Sequence, residues 1–177
     1  MLTIRPATPA DASTIHRFIV ELAIYEKEPD AVEVTPAELA DQLRQARPPF
    51  EALLAEAKLS DDGDAEPVGF ALYFHNYSTW RGRHGLYLED LYVTPAARGR
   101  GHGKALLAHL AAVAVKRGCA RMEWSVLDWN TPAIDFYEAL GASPMSEWTT
   151  FRLTDQALTA LASQSAHGDD PLDKGSA

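Results

Sequence analysis

Leu88-Glu89-Asp90-Leu91-Tyr92-Val93, followed after a gap of four residues by Arg98-Gly99-Arg100-Gly101-His102-Gly103-Lys104, decides the fold. The first run reads as a buried strand. The second reads as a short loop and a glycine-rich entry into a helix. That helix spans residues 104–117, with Leu106, Leu107, Leu110, Val113 and Ala114 on one face at spacings of three and four. Gly118 supplies its C-terminal stop. A strand that feeds a glycine-rich helix N-terminus binds anions. The first-turn N–H groups lack helical partners, and the helix dipole favours negative charge there. Glycines let the backbone approach a phosphate with no Cβ in the way. Two common phosphate loops do not fit. A Walker loop needs Ser or Thr after its lysine, and Lys104 precedes Ala105. The dinucleotide fingerprint needs Gly-x-Gly-x-x-Gly after a first strand, whereas this loop has another spacing and lies mid-chain.

Outward from this stretch the elements follow. Residues 2–5 alternate as a short strand. Residues 6–11 form a turn, and Asp11 is placed to cap a helix reaching residue 27, with Ile15, Phe18, Ile19 and Leu22 as its stripe. Thr35-Pro36-Ala37-Glu38 starts a second helix, which ends before Arg47-Pro48-Pro49. Strands are expected at 50–57, 68–75, 86–93, 120–127 and 148–153. A short helix is expected from Asn130 to about Leu140, stopped by Gly141. The strand after the glycine-loop helix should run parallel to the strand before it, with a right-handed crossover. This order gives an α/β layered fold with one mixed sheet. The domain is expected over residues 2–162, and the Ser/Gly/Asp-rich tail at 163–177 is expected to be disordered.

Composition narrows the partners. The 177 residues suffice for one domain with a sizeable core. A net charge of −9 argues against nucleic acid and suits a cationic substrate. No apolar run reaches membrane-spanning length, and the N-terminus lacks a signal-peptide profile. The single cysteine, Cys119, excludes an internal disulfide and fits a reducing cytoplasm. The six histidines show no metal-ligand spacing, so no metal is expected.

Arg98, Gly101 and Gly103 meet the pattern Arg-x-x-Gly-x-Gly, and this loop behind Leu-Glu-Asp-Leu-Tyr-Val resembles the pyrophosphate loop of the GNAT superfamily of N-acetyltransferases. Further segments are similar to one branch, the diamine (spermidine/spermine) and thialysine acetyltransferases. They include Ile4-Arg5-Pro6-Ala7-Thr8, Tyr25-Glu26, Val68-Gly69-Phe70-Ala71-Leu72-Tyr73, and Trp129-Asn130-Thr131-Pro132-Ala133-Ile134-Asp135-Phe136-Tyr137. The resemblance implies a mostly antiparallel sheet with a parallel pair at the cofactor site. It implies acetyl transfer from acetyl-CoA to a small-molecule amine within a homodimer. It also implies positions. The backbone of Leu91, Tyr92 and Val93 matches the contact to the pantetheine arm. Gly99, Arg100, Gly101, His102, Gly103 and Lys104, with Arg98, match the pyrophosphate loop. Asn130, Thr131, Pro132 and Ala133 match a further cofactor contact, and Tyr137 matches the general acid. Tyr25, Glu26, Glu89, Glu123, Trp124 and Ser125 match substrate-side positions.

Chemistry gives these residues work. The ammonium of an alkyl amine, pKa about 10.4, must lose a proton before attack, and the leaving thiolate, pKa about 8.5, gains from a proton donor. Glu89 is the candidate to hold the amine and accept its proton, at the point where two parallel strands would part. Strand alternation would put Glu89 and Asp90 on opposite faces, one of them structural. Tyr137 is the candidate acid, because a phenol of pKa about 10 stays protonated at neutral pH; it also fits a core aromatic of its helix. Asn130 fits a helix cap as well as a cofactor contact. Arg98 and Arg100 fit phosphate partners or solvated loop cations. Two rivals remain open: an acetyltransferase of protein N-termini or lysines, and a non-catalytic acyl-CoA-binding regulatory module.

Overall fold

Thr35 and Glu38 show how closely local chemistry sets an element here. In this computed structural model, which describes residues 1–60 and 62–165, the Thr35 hydroxyl accepts from the Glu38 N–H at 3.3 Å and the Thr35 N–H donates to the Glu38 carboxylate at 2.8 Å. This reciprocal pair opens helix α2, Pro36–Arg44. Helix α1, Ala12–Tyr25, begins differently from expectation. Asp11 does not cap it through its side chain, because that carboxylate is already taken. It accepts two bonds from Arg5, at 2.9 and 2.8 Å, and one from the Thr8 N–H at 2.8 Å. Arg5 also donates to Glu56, so one guanidinium ties the first strand, its neighbour and the turn together.

The first unit, Met1–Asn130, holds a five-stranded sheet in sequential order: β1 Thr3–Pro6, β2 Glu51–Ala57, β3 Glu66–Ser78, β4 Arg83–Val93 and β5 Met122–Trp124. The pairs β1–β2, β2–β3 and β3–β4 are antiparallel, and β4–β5 is parallel. Helix α3, His102–Lys116, makes the crossover between that last pair. The mixed sheet and its parallel pair are therefore as expected. Strands β3 and β4 are longer than their apolar runs, because the hairpin pairing continues to Ser78 opposite Arg83.

Alternation sends side chains to two buried faces. On one, Ala52, Leu54, Phe70, Leu72 and Tyr92 pack with Ile15 and Phe18 of α1 and Leu39 of α2. The Phe18 ring lies 5.6 Å from Phe70 and 5.9 Å from Tyr92. The intervening residues Leu53, Ala71, Leu86 and Leu88 are equally buried, and α3 packs on β2, β3 and β4 through Leu106, Leu107 and Leu110. No helix among the described residues is long and apolar enough to cross a membrane.

Strand β5 is shorter than the expected 120–127. The cause lies in its neighbour. Register shifts between Leu72 and Tyr73, so Leu72 faces Asp90, Tyr73 faces Leu88, and Glu89 is an extra residue in β4. A bulge of this kind bends its strand and increases the twist. The ladder to β5 ends at Leu88 opposite Trp124, immediately before it.

The second unit begins at Thr131. It contains α4, Thr131–Glu138, and α5, Asp155–Ala162. The strand expected at 148–153 is not formed; those residues are irregular. An alternating apolar pattern makes a strand only where a partner edge satisfies its backbone groups. Helix α5 was not anticipated. The expected tail lies outside the described residues from 166 onward.

Candidate active site

The bulge at Glu89 is the centre of the candidate site in the first unit. With β5 ending at Trp124, β4 runs on from Glu89 to Val93 with no strand beside it on that edge among the described residues. Leu91, Tyr92 and Val93 occupy this stretch. The backbone groups along such an edge are free to bond a ligand. The loop that follows leads directly to α3.

That loop has the geometry an anion needs. Gly99 has φ +73° and Gly101 has φ +82°, a left-handed conformation that a side chain resists. A Cβ at either position would meet nothing within 4 Å, so the glycines serve the backbone conformation and leave open space beside it. Gly101 is the N-cap of α3, with no side chain to satisfy the first-turn N–H groups. His102, Gly103 and Lys104 form that first turn. The residues present fit a phosphate group.

The two arginines are already engaged. The Arg98 Nε donates to the Val93 carbonyl at 2.9 Å, and its guanidinium lies 5.0 Å from the Tyr25 ring and 5.5 Å from the Tyr92 ring. Arg100 donates to the Leu59 carbonyl at 3.4 Å. Tyr25, Tyr92, Thr94 and Arg98 also line a groove of about 660 Å³ beside α1, where the Thr94 hydroxyl is buried with no hydrogen-bond partner.

Carboxylates gather near the bulge. Asp90 faces Leu72, a member of the α1-side core, and burial pushes its pKa up to about 6, with the Glu89 and Glu26 charges adding to the effect. Burial also raises Glu26, which sits at the C-cap of α1. Glu89 itself is exposed. Strict alternation across 88–90 therefore fails at the bulge, and the Glu89 charge adds to the upward shift of Asp90. Alternation alone makes one of Glu89 and Asp90 structural and does not say which. Two adjacent acids inside an apolar strand were the available signal for the bulge.

The other expected residues divide between roles. Glu123 accepts from Asn76 at 2.9 Å and pairs with Arg121 at 2.8 Å. Ser125 shares a 2.9 Å hydroxyl bond with Tyr87. Trp124 closes β5. Asn130 is 8 % exposed, and its side-chain oxygen accepts from the Tyr25 hydroxyl at 3.0 Å. Nothing in its sequence neighbourhood announced that partner. Thr131, Pro132, Ala133 and Tyr137 belong to α4 of the second unit, where the Tyr137 ring stands 5.3 Å from Phe136.

Comparison with known proteins fits this arrangement. Residues 19–142 match the acetyltransferase (GNAT) family model. A thialysine N-epsilon-acetyltransferase of Bos taurus is 41 % identical over 90 % of this chain and 96 % of its own. An L-ornithine N5-acetyltransferase of Arabidopsis thaliana is 34 % identical over 89 % of this chain and 86 % of its own. Among solved structures, an integron cassette protein of V. cholerae superposes with a TM-score of 0.72 at 25 % identity, covering 91 % of this chain and 97 % of its own. Bulged parallel pair, glycine cradle and relatives agree: the chain belongs to the GNAT acetyltransferase family, as an N-acetyltransferase that uses acetyl-CoA as co-substrate.

Proposed function

We propose that this protein moves an acetyl group directly from acetyl-CoA to the primary amine of a small molecule, of the diamine, polyamine or lysine-like class that includes thialysine. The observation that carries the reading is the bulge at Glu89, set where β4 and β5 part and followed by an open glycine cradle. Acetyl-CoA supplies the reactive thioester. Gly99–Lys104 hold its phosphates through first-turn N–H groups, with Arg100 and Lys104 as nearby cations. The open edge at Leu91–Val93, apart from the Val93 carbonyl that Arg98 holds, bonds its amide arm. Asn130 and α4 residues Thr131–Ala133 complete the cofactor side.

Glu89, Asp90 and Glu26 recruit the ammonium, with Tyr25, Glu123, Trp124 and Ser125 on the same substrate side. Asp90, titrating near 6, is a better match to a proton-accepting role than an ordinary carboxylate, and it acts with Glu89. Tyr137 gives its phenolic proton to the departing sulfur. One catalytic domain over residues 2–162 and assembly as a homodimer belong to the same reading, and chromatography with light scattering tests the latter.

The decisive assay follows CoA release from acetyl-CoA with spermidine, spermine, putrescine, lysine and thialysine, comparing wild type with Tyr137→Phe and Glu89→Gln. Turnover with one class, falling about a hundredfold in Tyr137→Phe, supports the reading and names the acceptor. Tight acetyl-CoA binding without turnover on any of these amines sinks it.

A further inference from the structure

Tyr25 touches both loops that leave the parting strands. On the β4 side, its ring lies under the Arg98 guanidinium, 5.0 Å away, and Arg98 is fixed to the Val93 carbonyl. On the β5 side, its ring packs at 6.1 Å against Trp129, and its hydroxyl donates to Asn130 at 3.0 Å. The ladder between β4 and β5 has already ended at Leu88 and Trp124. A single side chain from the end of α1 therefore spans the opening between the two loops.

The backbone beneath it is built for this position. Helix α1 ends with the Glu28 N–H bonded to the Ala23 carbonyl and the Lys27 N–H bonded to the Ile24 carbonyl. This is the Schellman pattern, which asks for glycine at the left-handed residue. Here that residue is Lys27, with φ +68°. A lysine there strains the backbone. It also carries a cation to 4.4 Å from the Trp129 ring. Asn130 is buried, and without the Tyr25 hydroxyl its oxygen would lack the partner it has here.

We propose that Tyr25, held by Lys27, Trp129 and Asn130, is a strap across the β4–β5 opening that positions acetyl-CoA, with Arg98 as its anchor on the β4 side. This rests on the placement of the cofactor between the two strands given above. Tyr25 becomes a positioning residue for the acyl donor, and its effect reads first in donor affinity.

The test measures the acetyl-CoA Kd by calorimetry together with the melting temperature of the unliganded protein. In Tyr25→Phe the Kd rises about fivefold, the factor that one net hydrogen bond carries. Lys27→Gly relieves the left-handed strain and removes the cation, so its melting temperature holds or rises while its Kd weakens about threefold. Lys27→Arg keeps the cation and restores the Kd. A purely structural role would move affinity and melting temperature in the same direction. An unchanged Kd in Tyr25→Phe overturns the strap, as does a rise in the amine KM with donor affinity unmoved. If Tyr25→Phe loses both fold and affinity, the opposite signs in Lys27→Gly decide. Should wild type turn over no amine, the proposed acceptor class falls while the Kd comparison still reads the strap. A wild type that binds no acetyl-CoA overturns both.

Discussion

Asp90 shows how much one residue's surroundings alter its chemistry. Its carboxyl shifts from 3.8 to about 6, chiefly because burial disfavours the charge and secondarily because Glu89 and Glu26 repel it. The unfolded chain binds this proton less tightly than the folded protein does. Stability contributed through Asp90 is therefore lost as pH rises from about 4 to about 6, and stays lost above that. Asp11 opposes it: Arg5 and Thr8 hold its carboxyl well below the usual range, so its contribution is present above about pH 4 and lost on acidification. A difference between variant and wild type isolates Asp90 from that background. Asp90→Asn should stabilise the protein by about 2 kcal/mol at pH 8 and by almost nothing at pH 4, read from urea midpoints at the two pH values. Equal gains at both would place the burden of Asp90 in its shape rather than its charge.

Helix α3 is bracketed by two left-handed glycines that do different work. Gly101 has φ +82° at its N-cap and Gly118 has φ +69° just past its end, and a Cβ at either would meet open space. Alanine at each position costs about 1 kcal/mol of stability through backbone strain alone. Gly118→Ala should leave acetyl-CoA affinity untouched. Gly101→Ala should also turn the first-turn N–H groups and weaken that affinity about tenfold, or ~1.4 kcal/mol. Matched losses of affinity in both variants would remove the cradle from the cofactor site. This helix was legible in the sequence because its stripe, its stop and its glycine entry are all local signals. Strand β5 was legible in existence but not in length, since a bulge in β4 sets where the pair separates. The apolar alternation of 148–153 misled for the converse reason: a strand is a property of two partners. Tyr25 and Asn130 stand 105 residues apart, and their bond follows from the fold alone.

At the scale of the whole molecule, the charge of −9 is unevenly used. The Glu26 and Glu89 charges both act on Asp90, while Arg98, Arg100 and Lys104 cluster in and after the glycine loop. On the proposed function these carboxylates lie on the acceptor side, and an acidic field there raises the local concentration of cations and speeds their capture. Salt screens that field, because the Debye length falls to about 10 Å at 0.1 M. The effect must scale with the charge of the acceptor, which separates it from general inhibition. Between about 0.02 and 0.2 M NaCl, kcat/KM for spermidine, a trication, should fall about tenfold, whereas for lysine, with one net positive charge, it should fall less than about twofold. Glu26→Gln should flatten the spermidine dependence more than the lysine one. Parallel declines for both amines would mean that the field does not recruit the acceptor, and that selection rests on short contacts within the site.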